Sequence, residues 1–216
     1  MYYCKNFKLK FVAISDTHCR HRKLKLPKGD VLIHAGDIGY KGEKEEIIDF
    51  LQWFQQQKYE HKIFIAGNHD FYFEKASKAD IQKIIPEGIT YLNDSGVIIN
   101  DINIWGSPVT PWFFDWAFNR RRGTAIAKHW ALIPPETDLL ISHGPPYGIL
   151  DMVINEQHAG CKDLLKKVLE VKPKVFVCGH IHESYGAINK HGIKFINACV
   201  QNDLYEPVNK PIVFEM

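Results

Sequence analysis

Five short polar clusters hold the side chains best suited to grip a metal or move a proton. They are Asp16-Thr17-His18, Gly36-Asp37, Gly67-Asn68-His69-Asp70, His143-Gly144 and Gly179-His180-Ile181-His182. Carboxylate, imidazole and amide oxygen without thiolate make a mixed N/O donor set. Such a set suits Mn²⁺, Fe, Zn²⁺ or Ni²⁺ and argues against Ca²⁺ or a soft-metal site. Asp16 and His18 are two residues apart, as are His180 and His182, so on extended chain each pair faces one side. Two imidazoles on one side favour a cation. Taken singly the clusters have plainer readings: Asp37 as a turn residue, Asn68-His69-Asp70 as an Asx-type turn, His143 as a hydrogen-bonded histidine.

What sets them apart is a shared position, since each follows a short apolar run: residues 11–15, 30–34, 62–66, 139–142 and 175–178. These runs read as buried strands. Ligands of open α/β sheets sit beyond the carboxyl ends of the strands, so neighbouring strands would bring all five clusters to one place. Ile47, Ile48, Leu51 and Phe54 at helical spacing predict a helix over 43–58; others are expected at 81–85, 119–130 and 161–171. Residues 97–100 and 102–107 predict a hairpin turning at Asn100-Asp101. The tail alternates β-rich runs at 185–188, 194–197 and 211–214. This order predicts an α/β protein of one domain, residues 1–216. Its form would be a four-layer α/β/β/α sandwich of two mixed sheets flanked by helices, with the metal site at the strand C-terminal ends.

The ordered set D-x-H, G-D, G-N-H-D, H-G and G-H-x-H resembles the calcineurin-like metallophosphoesterase superfamily, from Asp16 to His182. The stretches 106–119 and 206–214 are similar to one subgroup, the metallophosphoesterase-domain-containing proteins. Members of that subgroup can lack one histidine of the last motif, whereas this chain keeps both His180 and His182. The resemblance implies two divalent metal ions. Asp16, His18 and His182 would hold the first, Asn68, His143 and His180 the second, and Asp37 would bridge them. It implies a catalytic His69 beside the phosphate, oriented by Asp70. The implied reaction is hydrolysis of a phosphoester, most simply a small nucleotide-type phosphodiester, by attack of a metal-bridging hydroxide on phosphorus.

The rest of the sequence narrows the alternatives. The chain has 216 residues, 45% hydrophobic and 24% charged, the composition of an ordinary globular protein. A net charge of +2 with interspersed signs demands no stable nucleic-acid partner and weakens a nuclease reading. No apolar stretch approaches the roughly 18 residues of a membrane span, and the first residues lack the apolar run of a signal peptide. Five cysteines without a C-x-x-C pair read as reduced thiols of a cytoplasmic protein. No G-x-S-x-G elbow supports a serine hydrolase. A non-catalytic nucleotide-binding module would show gaps in the ligand roster, and none is present. A phosphomonoesterase on the same site and the oligomeric state stay open.

On the substrate side, the aromatic run 111–118 and the arginines after it read in two ways: a loop over the metals that stacks a base and pairs phosphate, or a plug between helix and sheet. The substrate-binding candidates are Arg20, Trp112, Phe113 and Arg120.

Overall fold

The computed structural model describes residues 8–216, so Cys4 and the N-terminal residues read above for a signal lie outside the described part. In chain order the elements begin with β1 (Lys10–Ile14), β2 (Val31–Ala35), α1 (Lys44–Gln55), β3 (His61–Ile65), α2 (Phe71–Lys75) and α3 (Lys78–Ile84). Then come β4 (Ile89–Leu92), β5 (Ser95–Ile99), β6 (Ile102–Ser107), β7 (Thr110–Pro111), β8 (Asn119–Arg120), α4 (Thr124–Trp130) and β9 (Leu139–Ser142). The chain ends with α5 (Lys162–Val171), β10 (Val175–Cys178), β11 (Gly186–Lys190), β12 (Ile193–Asn197) and β13 (Ile212–Glu215).

Two large mixed sheets result. One runs β13-β1-β2-β3-β4, the other β11-β12-β10-β9-β6-β5. Inner strands of both are parallel, and antiparallel partners close three of the four edges: β13 on β1, β11 on β12, β5 on β6. Strand period 2 explains why the central strands are apolar throughout. Phe11, Ala13, Ile33 and Ile63 point inward and meet Ile104, Leu139, Ile141 and Val177 of the other sheet. Their alternates Val12, Ile14, Leu32 and Phe64 point outward onto Ile47, Phe50, Leu51 and Phe54 of α1. On the far side Leu140, Phe176 and Phe195 meet Ile126 and Trp130 of α4 and Leu164 and Val168 of α5. The four layers expected from the strand and helix order are therefore present. The hairpin at Asn100-Asp101 also forms; both residues take positive φ, 44° and 62°, as a two-residue primed turn requires.

One element differs from expectation. The helix predicted over 119–130 begins only at Thr124, and Asn119–Arg120 instead pairs with Thr110–Pro111. The Asn119 side chain accounts for this. Its Oδ1 accepts the Phe113 N–H at 2.7 Å, and its amide donates to Thr110 Oγ1 at 3.0 Å and the Ala117 carbonyl at 3.1 Å. An amide that ties down the preceding loop competes with the helix for the backbone.

His34, next to last in β2, is fully buried, with Nε2 3.0 Å from Thr17 Oγ1 and the Gly36 N–H donating to Nδ1 at 3.3 Å. Burial pushes its pKa down to about 3. A depressed histidine pKa means that the unfolded chain takes up the proton first. The contribution of His34 is therefore full above pH 6.5 and falls as pH drops towards 3. His34 alone should cost about 2 kcal/mol between pH 6.5 and 5. Urea unfolding at both pH values should show a smaller acid loss in His34→Gln than in the parent; equal losses would remove His34 as the cause.

Candidate metal centre

The five clusters do converge, and backbone hydrogen bonds between strand ends explain how. The Asp16 N–H donates to the Gly36 carbonyl at 2.9 Å, joining β1 and β2. The Gly179 N–H donates to the His143 carbonyl at 3.0 Å, joining β9 and β10. Across the two sheets, the His180 N–H lies 3.1 and 3.0 Å from the Asp16 carboxylate oxygens, and His143 Nδ1 lies 2.9 Å from the Ala35 carbonyl. Several of these residues hold left-handed backbone: Asp16 at φ 54°, His18 at 39°, Asp37 at 57° and His180 at 71°. Such conformations cost of order 1–3 kcal/mol each and persist where surroundings fix them, commonly at functional sites.

Two motif glycines are required by close approach. A Cβ on Gly67 would overlap the Asp37 carboxylate and its N–H, and one on Gly179 would overlap Ser15 Oγ and Asp16 Oδ2. Gly179→Ala should therefore displace Asp16. A loss of about 1–3 kcal/mol in stability is expected from the overpacking, together with weakened metal uptake. Thermal unfolding and elemental analysis of the variant check both; parental values in each would show that the site yields freely.

The histidines share one arrangement of protons. Nδ1 of His18 faces the Gly39 carbonyl at 3.1 Å, that of His143 the Ala35 carbonyl, that of His182 the Asn202 carbonyl at 2.8 Å, and that of His69 the Tyr40 carbonyl at 2.8 Å. A carbonyl only accepts, so each Nδ1 carries a hydrogen and each Nε2 is left to meet a cation, a proton or a metal ion, the usual way of orienting a metal-binding imidazole. The Nε2 of His18 is buried without a hydrogen-bond partner. His143 Nε2 faces oxygens only, Asn68 Oδ1 at 2.9 Å and Asp37 Oδ1 at 3.3 Å. Acceptor atoms turned on one another in a buried space need a proton or a metal cation between them.

The charges say the same. Burial would raise the Asp16 and Asp37 carboxyls, yet the neighbouring histidines hold both well below the usual carboxylate range. Burial would lower His143 and His182, yet Asp37 and Asp16 lift them to about 9. His180, buried beside His143, is pushed down to about 4. Three groups have all their donor atoms within 4.8 Å of one another: Asp16, His18 and His182; His18, Asp37 and His69; Asp37, His143 and His180. His18 and Asp37 each belong to two of them, so the three groups adjoin one another. These His/Asp clusters fit divalent metal ions.

With the geometry in view, the comparisons with known proteins decide the family. The calcineurin-like phosphoesterase family model matches residues 9–184. The chain belongs to the calcineurin-like phosphoesterase family. It is 41% identical to metallophosphoesterase domain-containing protein 1 of Homo sapiens, over 96% of this chain and 71% of that protein. UPF0046 protein K07C11.7 of Caenorhabditis elegans is 36% identical, over 95% and 74% of the two chains. Among solved structures, TT1561 of Thermus thermophilus shares the fold at a TM-score of 0.61 with 12% identity, covering 96% of this chain and 99% of that one. The chemistry of this family is metal-dependent hydrolysis of phosphoesters.

In this phosphoesterase the other expected site residues are placed as follows. Asp70 is buried, and its carboxylate accepts three backbone N–H groups, from Ile38 at 3.1 Å, Gly39 at 2.9 Å and Gly67 at 2.7 Å. Burial and Asp37 nevertheless push its pKa up to about 7. It staples the loop after β2 to the loop after β3. The ring of His69 meets the Tyr40 carbonyl at 2.8 Å, while Asp70 holds the neighbouring Gly39 N–H. Arg120 pairs with Glu74 at 3.0 Å and donates to the Asn119 carbonyl, so its charge is already answered. Arg20 lies exposed two residues beyond His18.

Trp112 and Phe113 are exposed, with Phe113 edge-on to Phe114. The ring of this run that reaches the site is Trp116, 4.2 Å from the His69 ring, while Ala117 and Phe118 plug the core. The plug reading thus describes Ala117 and Phe118, while Trp116 packs on a site histidine. Sequence reasoning missed Trp116, Tyr40, Tyr205 and His34. A strand-end histidine close to two motifs was a readable signal for His34; nothing local marks Tyr205, which approaches from the tail.

Among the described residues Cys19, Cys161, Cys178 and Cys199 are free thiols. No helix there is long and apolar enough to cross a membrane.

Proposed function

We propose that this phosphoesterase is a dinuclear hydrolase of small phosphodiesters of the nucleotide type. Asp16, His18 and His182 would hold one metal, Asn68, His143 and His180 the other, with Asp37 between them. The observation that supports this reading is the set of imidazole nitrogens and carboxylates gathered in three adjoining donor groups, with His18 Nε2 buried and unpartnered. Two bound cations supply positive charge to the phosphoryl oxygens and a water acidic enough to ionise near neutrality.

The chain's own residues do the rest. His69 stands at the edge of the site, its ring 4.7 Å from that of His18 and 4.2 Å from that of Trp116. With Nδ1 engaged by the Tyr40 carbonyl, Nε2 is the atom that would take up a proton and pass it to a departing alkoxide. Aromatic rings border the site, and a net charge of +2 offers little attraction to a polynucleotide, which together support a small substrate.

The test is hydrolysis of bis(p-nitrophenyl) phosphate after stripping with EDTA and reloading with Mn²⁺, Fe²⁺, Zn²⁺ or Ni²⁺. Activity should vanish on stripping and return with metal, and full activity in the stripped protein would sink the proposal. Reloading should also raise the melting temperature, since a ligand at 100 times its Kd adds about 2.7 kcal/mol. A melting curve indifferent to metal would argue against these residues as its holders.

A further inference from the structure

Two tyrosines outside the five motifs stand over the metal-facing histidines. The Tyr40 ring lies 6.3 Å from that of His18 and 6.1 Å from that of His69. The Tyr205 ring lies 5.1 Å from that of His18 and 5.0 Å from that of His182. The two tyrosine rings are 6.0 Å apart, edge to face. Tyr40 is 54% exposed and Tyr205 37%. No hydrogen bond ties down either hydroxyl among the described residues, so both present ring surface at the mouth of the site.

Each tyrosine sits on a loop that also orients a histidine. The Gly39 and Tyr40 carbonyls accept from His18 and His69. Glu46 Oε2 accepts the N–H groups of Tyr40, Lys41 and Gly42, which fixes this loop. On the other side the Asn202 carbonyl accepts from His182, and the Tyr205 N–H donates to that same carbonyl at 2.9 Å. Asn202 Oδ1 accepts from Leu204 and Glu206, winding a tight turn that holds Tyr205 at φ 58°. A strained, half-exposed aromatic held against two histidines does little for the core. It is well placed to meet a substrate.

We infer that Tyr40 and Tyr205 form an aromatic collar that recognises a planar ring on the phosphoester, a nucleobase or aryl group, beside the scissile phosphorus. The inference rests on the phosphoesterase reading and names its substrate class. Bases and aryl rings stack on such faces without reading their edges, so the collar would select for a ring and not for one base.

Two measurements separate the collar from the underlying activity. The first compares p-nitrophenyl phenyl phosphate with p-nitrophenyl methyl phosphate, which share a leaving group. The phenyl ester should be preferred in kcat/KM by about tenfold. The preference should fall towards unity in Tyr40→Leu/Tyr205→Leu and survive in Tyr40→Phe/Tyr205→Phe. An unchanged preference in the leucine variant overturns the collar. The second is calorimetric binding of adenosine 5′-monophosphate against ribose 5-phosphate to the metal-loaded protein. Tighter binding of the nucleotide, abolished in the leucine variant, supports the collar even if no ester is turned over, in which case only the phosphoesterase reading fails. Equal binding of the two ligands overturns the collar.

Discussion

Asp37→Asn leaves the purified protein short of metal and lowers phosphodiester turnover by on the order of 10³-fold. Asparagine matches aspartate in shape and tolerates left-handed backbone, so the strand end at φ 57° should still form. What changes is the charge. Asp37 Oδ1 lies 3.3 Å from His143 Nε2 and Oδ2 lies 3.8 Å from His18 Nε2, so the carboxylate stands between the two donor groups. A neutral amide cannot offset repulsion between two cations held close together, and the weaker-held ion should leave. Oδ1 also accepts the His69 N–H at 2.8 Å, a bond that an amide oxygen can keep, so loss of fold is not the expected cause. Elemental analysis after gel filtration is the check. Two full equivalents of metal in the variant would show that Asp37 bridges nothing.

His69→Ala separates a proton donor from a ligand. His69 has its own place in a donor group with His18 and Asp37, yet it is only partly buried and packs on Trp116. As a proton donor it can be removed with metal content intact. The rate for an alkyl ester, whose leaving alkoxide needs a proton, should then fall by about 10²–10⁴. The p-nitrophenyl ester leaves as a stable anion and should fall far less. Loss of metal, or an equal drop for both esters, would instead place His69 in the metal shell.

The site was more legible in the sequence than its surroundings, and the reason is local. Each ligand cluster lies at the end of a short apolar run, and the glycines beside Asp37, Asn68 and His180 belong to the same few residues, because close approach is a property of the backbone at that point. Strand ends carry their chemistry with them, so five motifs in order were enough to expect Asp16, His18, Asp37, Asn68, His143, His180 and His182 in one place. The core sheets were legible for a similar reason, since alternation along Phe11–Ile14 must feed two different apolar layers.

Other features depended on contacts between distant residues. The helix expected from Asn119 starts late because one amide side chain bonds Phe113, Thr110 and Ala117. Asp70 and His69 are neighbours in sequence but answer to different partners, three loop N–H groups for one and the Tyr40 carbonyl for the other.

By itself, then, the sequence determined which side chains could bind metal and that they end strands, since residue type and period 2 are local properties. Only the tertiary structure decided which rings surround them. β13 returns to pair with β1, and Ser15 bridges to Cys199, and these long-range pairings carry the tail and Tyr205 to the mouth of the site. No periodicity encodes a contact between residues nearly the whole chain apart; packing of the two sheets does.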